Sequence, residues 1–210
     1  MSNQTVFGQA TSPTYYNFNT GSPSNIFPWA TAAGKGTQYL IAAGTLGSAP
    51  AGYITNVWFQ VTANQTNTLT TLNIKLSQNG FGTNTSLLPQ LYTTGLTTVY
   101  TAASATVSSG ANGWMKIVLQ TPFYYDPTQG LLVDVSQCAA TNTGMQTINT
   151  AVSGSRRNYI NASACTFSYG GQDANVFNFG VDITAGPPNS GGPGGNPYLF
   201  PPIGNFAYDK

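Results

Sequence analysis

Hydrophobic and polar positions alternate with a period of two along much of the chain. In Tyr53–Thr62, Tyr53, Val57, Phe59 and Val61 alternate with Asn56, Trp58, Gln60 and Thr62. Thr70–Ser77 sets Leu72, Ile74 and Leu76 against Asn73, Lys75 and Ser77, and Trp114–Thr121 gathers Met115, Ile117 and Leu119 on one face. The cleanest case is Asn175–Thr184, where Phe177, Phe179, Val181 and Ile183 point inward and Asn178, Gly180 and Asp182 outward. This is the signature of half-buried strands, because successive side chains leave a pleated backbone on opposite sides. Gln38–Ala42, Leu96–Ala102 and Leu131–Ser136 read as further strands, and Asn158–Tyr169 as a hairpin or broken strand. No run carries the 3.6-residue period of a helix.

Between these runs the chain is punctuated. Residues 1–36 scatter Tyr15, Tyr16, Phe18, Phe27 and Trp29 among Gly, Pro, Ser and Asn, which predicts a covering segment with a strand at its start. Gln78–Thr94 reads as a loop, since Pro89 forbids a central strand there, and the PFYYDPTQG run before Leu131 reads as turn-rich. Eight or nine short strands without a helix predict an all-β, antiparallel β-sandwich over residues 1–184. After Thr184 the composition changes. Residues 185–197 (AGPPNSGGPGGNP) form a Pro/Gly/Ser linker, and residues 198–210 carry Tyr198, Leu199, Phe200, Ile203, Phe206 and Tyr208. Left in water, each of these six would forgo roughly 1.5–3 kcal/mol of burial, so the block is expected to dock on a sheet edge or apolar groove, of a neighbour or, alternatively, of its own domain.

Composition narrows the chemistry. Only 5% of the 210 residues are charged, with six Lys+Arg, five Asp, no Glu and no His. The formal charge of +1 leaves no electrostatic footprint for a nucleic acid. No apolar stretch is long enough for a spanning helix, so no membrane insertion is expected. Without His there is no Ser-His-Asp or Cys-His nucleophile and no imidazole metal ligand, so no enzyme activity, metal or cofactor is expected. A 12% aromatic content argues against disorder. The N-terminus shows no basic-then-apolar leader.

The order of the motifs is informative. Tyr53-Ile54-Thr55-Asn56-Val57-Trp58-Phe59 is followed by Leu72-Asn73-Ile74-Lys75-Leu76, then by Trp114-Met115-Lys116-Ile117-Val118-Leu119 and Thr121-Pro122-Phe123-Tyr124-Tyr125-Asp126, and finally by Gly130-Leu131-Leu132-Val133-Asp134-Val135. Over about residues 5–184 this resembles the jelly-roll-like β-sandwich modules of extracellular, multidomain Bacteroidota proteins. The resemblance implies a jelly-roll-like sandwich and an exterior location, and brings no catalytic residues. The chain departs from that pattern at Asp126-Pro127-Thr128-Gln129-Gly130, where the modules have Asp-Gly.

Four groups are candidates for function. Cys138 and Cys165 are expected to form a disulfide, worth about 3.5 kcal/mol by loop entropy. Arg156 and Arg157 offer a clamp for a carboxylate, sulfate or acidic sugar, against the plainer reading that one pairs with Asp134 or Asp182. Trp58, Tyr124 and Tyr125, with Tyr159 beside the arginines, offer stacking faces for sugar rings, against burial beneath the N-terminal segment. Asp173 in a Gly-Gln-Asp loop has too few carboxylate neighbours for calcium and reads as a turn. Two functions remain open. One is an extracellular adhesion or ligand-binding module, with carbohydrate or a cell surface as target. The other is a self-assembling subunit of a fibre, surface layer or virion exterior.

Overall fold

The computed structural model describes residues 11–163 and 165–186. The linker from residue 187 and the docking block from Tyr198 to Tyr208 lie outside them. Among the described residues there are fourteen strands: β1 (Tyr15–Tyr16), β2 (Pro23–Asn25), β3 (Lys35–Ile41), β4 (Gly52–Gln60), β5 (Thr66–Ser77), β6 (Thr97–Ser108) and β7 (Trp114–Tyr125) in the first part. Then follow β8 (Leu131–Gln137), β9 (Ala139–Ala140), β10 (Thr147–Ala151), β11 (Arg157–Ser163), β12 (Thr166–Asp173), β13 (Asn175–Phe177) and β14 (Phe179–Thr184). The excess over the expected eight or nine comes from short pieces that carry no readable period. Among the described residues no helix is long and apolar enough to cross a membrane.

The strands form an all-β antiparallel sandwich. One sheet has the order β1-β14-β4-β7, the other β12-β11-β3-β8-β5-β6 with β9 also on β5, and a small sheet β13-β10-β2 stands beside them. The connections β4–β5, β6–β7 and β7–β8 each pass from one main sheet to the other. Val57, Phe59, Met115, Ile117, Phe179 and Val181 from the four-stranded sheet meet Tyr39, Leu72, Ile74, Leu76, Val133 and Val135 from the larger one. Trp29, from the irregular N-terminal segment, joins this core with its ring 4.9 Å from that of Phe59. Of these, Val57, Phe59, Leu72, Ile74, Leu76, Met115, Ile117, Phe179 and Val181 are the ones the two-residue period selects.

Three local readings are corrected. Tyr53, expected inward with Val57 and Phe59, faces outward beside Tyr124, because the bulge between Ile54 and Asn56 shifts the phase and puts Ile54 in the core. The run Asn175–Thr184 is not one strand: β13 pairs with β10 and β14 with β4. The break falls at Asn178, which is buried rather than outward. Its Nδ2 donates to Gln60 Oε1 (2.6 Å) and to the Thr20 carbonyl (2.8 Å), and its Oδ1 accepts from Thr150 Oγ1 (2.9 Å). A buried amide with every group satisfied makes a stable joint between sheets. The PFYY part of the supposed turn belongs to β7, and the turn starts only at Asp126, whose Oδ1 accepts from Thr128 N–H (2.9 Å) and Oγ1 (2.7 Å).

The middle of the larger sheet is covered on both faces. Every residue of β8 is buried, although only alternate ones can face the main core. Its outward Leu132, with Leu40 of β3, packs under Phe81 and Leu87, and Tyr92 and Leu96 lean on the same cluster. The chain between β5 and β6 therefore folds back over the outside of its own sheet.

Candidate functional site

The 78–96 loop has no periodic structure of its own and is held by side-chain amides rising from the sheet. Asn158 of β11 donates its Nδ2 to the carbonyls of Leu88 (3.0 Å) and Gln90 (2.8 Å). Gln172 of β12 donates to the Leu87 carbonyl at 3.3 Å. Gln38 of β3 holds Tyr92 at both backbone groups, donating to its carbonyl (2.7 Å) and accepting from its N–H (3.0 Å). Gln78 ties the loop's start to the β7–β8 turn through Asp126 (2.8 Å) and Gln129 (3.0 Å). Main-chain groups of a loop that would otherwise need water are thus satisfied from below, and the loop is set in one shape.

Two cavities result. The larger, of about 670 Å³, is lined by Asn79, Gly80, Phe81, Asn84, Thr85, Ser86, Leu88, Gln90, Tyr92 and Thr94, none of them charged. The smaller, of about 270 Å³, lies on the sheet beside it; Tyr92 lines both, and Lys75, Asp134, Ser136, Leu96, Ile160 and Phe167 complete most of its wall. Asp134 is only 6% exposed. Burial raises its carboxyl above the ordinary carboxylate range, while the Gln38 amide, donating to Oδ2 at 2.6 Å, and the charge of Lys75 pull the other way. Among the described residues no second carboxylate lines either cavity. The chemistry on offer is that of amides, hydroxyls and aromatic faces around one acid.

The residues expected to bind are distributed elsewhere. Trp58 is 2% exposed, its Nε1 donating to Asp182 Oδ2 (2.9 Å) and the Lys116 ammonium lying 5.4 Å over its ring. Asp182 also accepts from Thr14 N–H and Oγ1, both at 2.9 Å, and from Asn56 Nδ2 at 2.9 Å, which fastens the N-terminal segment over this part of the sheet. Trp58 is therefore not a stacking face. Tyr125 is likewise in the main core, where burial first and then Asp126 push its hydroxyl up to about 12. Tyr124, its neighbour on the strand, points the opposite way and is 56% exposed, edge-on to Tyr53 with ring centres 5.4 Å apart.

The arginine clamp is spent internally. Arg157 is buried and grips both carboxylate oxygens of Asp173, its Nε at 3.1 Å from Oδ1 and its Nη2 on Oδ2. Its partner is thus neither Asp134 nor Asp182. Asp173 also accepts from Asn175 N–H (3.0 Å), which is a turn's arrangement. Arg156 is half-buried, and burial pushes its guanidinium below the ordinary value. Tyr159 packs edge-on to Phe27 and lies over Gly171, where any Cβ would collide with its hydroxyl. Cys138 and Cys165 are joined, with Cα atoms 5.0 Å apart, tying the end of β8 to the β11–β12 turn.

Sequence reasoning missed the cavity residues, because a loop without a period offers no face to read. One signal was present: the unbroken Leu131-Leu132-Val133 run marks a strand buried on both sides, and so a cover over the sheet. No protein-family model, no curated protein and no solved structure matches this chain.

Proposed function

We propose that this is a non-catalytic β-sandwich that works at an exterior surface by binding a neutral, polyhydroxylated ligand, a carbohydrate, in the 78–96 loop. The observation that carries this reading is the larger cavity: six amide or hydroxyl side chains with Phe81 and Tyr92, and no charge. Amides and hydroxyls both donate and accept, as sugar hydroxyls require, and aromatic rings suit the apolar face of a pyranose. A loop already fixed by Gln38, Asn158 and Gln172 loses little entropy on binding. The absence of His and Glu from the chain and of a second carboxylate from the cavities supports the non-catalytic part. The Cys138–Cys165 disulfide supports an oxidising, exterior setting.

The test is a glycan array followed by calorimetric titration of the best hits. Neutral glycans should bind, with affinity nearly unchanged between 50 mM and 500 mM salt, because exposed charge pairs are what salt screens. Binding confined to acidic glycans and lost in salt would remove this reading, as would silence across the array.

A second reading, self-assembly, rests on the opposite face, where Val118 is 63% and Tyr124 56% exposed. Light scattering on size-exclusion fractions distinguishes them. A stable oligomer dispersed by Val118→Asp supports assembly, and a monomer at tens of micromolar removes it.

A further inference from the structure

One row of side chains runs straight across the outer face of the larger sheet. The strand registers pair Gln172 with Asn158, Asn158 with Gln38, Gln38 with Asp134, and Asp134 with Lys75. All five are polar and stand on the outward side. The first three are consumed in holding the loop, as described above. The last two are not: the loop passes over them without a hydrogen bond to either side chain, and they open into the smaller cavity. Asp134 Oδ2 is committed to Gln38, whereas among the described residues no hydrogen bond reaches Oδ1. Lys75, its register neighbour, makes no ion pair with it within 4 Å.

The next row keeps that space open. Ile160, Gly36 and Ser136 are register partners there, and a Cβ on Gly36 would lie 3.3 Å from the Cβ atoms of both Ile160 and Ser136. A buried acid with an unused oxygen, a lysine not bound to it and a hydroxyl, all walled by Tyr92, Leu96 and Phe167, is an unusual use of a sheet face. A buried charge is costly unless something completes its hydrogen bonds.

We propose that the smaller cavity is the specificity subsite of the carbohydrate site, holding one pyranose unit. Asp134 Oδ1 accepts from a ring hydroxyl, Lys75 and Ser136 bond its neighbours, and Tyr92 and Phe167 flank the apolar edge. The larger cavity then takes the adjoining units. This inference rests on the carbohydrate reading and adds to it the residues that select the sugar. A site that hydrogen-bonds a given hydroxyl discriminates strongly against the epimer that cannot reach it, since the buried acid is then left unpaired.

The experiment is saturation-transfer NMR on the full chain with the methyl glycosides of glucose, galactose, mannose and fucose, together with titration of an array-selected oligosaccharide. One epimer should saturate well above the others. Asp134→Asn, which keeps an acceptor for Gln38 but places an amide in the cavity, should weaken the oligosaccharide at least tenfold, and Lys75→Met should weaken it several-fold. Lys75→Met guards against misfolding of the first variant, and Val118→Ser on the far sheet should bind as the parent does. If Asn84→Ala in the larger cavity abolishes oligosaccharide binding while Asp134→Asn and Lys75→Met leave it intact, the subsite is overturned and the carbohydrate reading stands. If no glycoside or oligosaccharide binds, both fall.

Discussion

The two outer faces of the sandwich begin from the same alternation and end differently. On the four-stranded sheet the cover is the N-terminal segment, fastened at Asp182, and it lies over Trp58 and Trp114; Val118 and Tyr124 stay in water. On the larger sheet the cover is a loop inserted between β5 and β6, held by a row of amides and by an apolar cluster of its own, with one cavity within it and one between it and the sheet. A strand's period says which residues leave the core. What those residues then do depends on which distant segment lies across them. An outward residue under a fixed loop can become part of a site, whereas one under a fastened tail becomes structure.

The largest effect expected from dismantling one face alone concerns the disulfide, which anchors the β11–β12 hairpin at the edge of the larger sheet. Replacing both Cys138 and Cys165 with Ser should cost about 3.5 kcal/mol in denaturant unfolding, through the freedom regained by the unfolded chain. A loss below about 1 kcal/mol would show that the hairpin is held by pairing with β3 alone.

Next comes the apolar cluster under the loop. Leu132→Ala should cost about 3 kcal/mol although Leu132 faces away from the main core, whereas Val118→Ala on the other outer face should stay within about 0.5 kcal/mol. Equal effects would erase the contrast between the faces.

Asp182→Ala removes the acceptor for four donors and strands the buried indole N–H of Trp58. The expected cost is about 1–3 kcal/mol, with the N-terminal segment becoming the first site of limited proteolysis. An unchanged digest would mean that the pairing of β1 with β14 suffices to hold it.

The smallest effect is one of sign. Burial raises the carboxyl of Asp134, so the native chain holds that proton more tightly than the unfolded chain does. Its contribution to stability is therefore greatest below the unfolded value of about 3.9 and declines as pH rises through the native one. Asp134→Asn should be at least as stable as the parent at neutral pH, with the difference closing as pH falls below about 4. A variant that is less stable at every pH would show Asp134 acting through packing rather than charge.

How much of this could be read in the sequence follows the same division. The inward faces of β5, β7 and β14, and of β4 from Val57 onward, follow directly from their alternation, and Trp114 is buried at the start of β7; at the start of β4 a bulge shifts the phase, so Ile54 and not Tyr53 enters the core. Trp58 reads as outward, with burial beneath the N-terminal segment as the plainer of its two readings, and that reading holds; what no local stretch shows is that Asp182 fastens the segment there. Tyr124 and Tyr125 were grouped as if they shared a face; once β7 is seen to run to Tyr125, adjacent residues must point opposite ways. The partner of Arg157 is set by hairpin register, which places Asp173 directly across from it, and register is a property of two strands together. The Gln172-to-Lys75 row draws on five separate strands, so no local stretch of sequence contains it.

The division of the last strand at Asn178 also has a mechanical side. Beyond that joint, β14 lies between β1 and β4 and then leads out of the sandwich toward the linker. Tension entering from that direction pulls β14 along its own axis, so the rungs linking it to β1 and β4 are loaded together in shear instead of being peeled one after another. At the inner end the strain meets the fully bonded Asn178 amide, where the chain passes to another sheet and the pull changes direction. A sandwich held at a surface through this end would resist drag with the whole length of a strand, while the cavities, on the other sheet, stay out of the line of force.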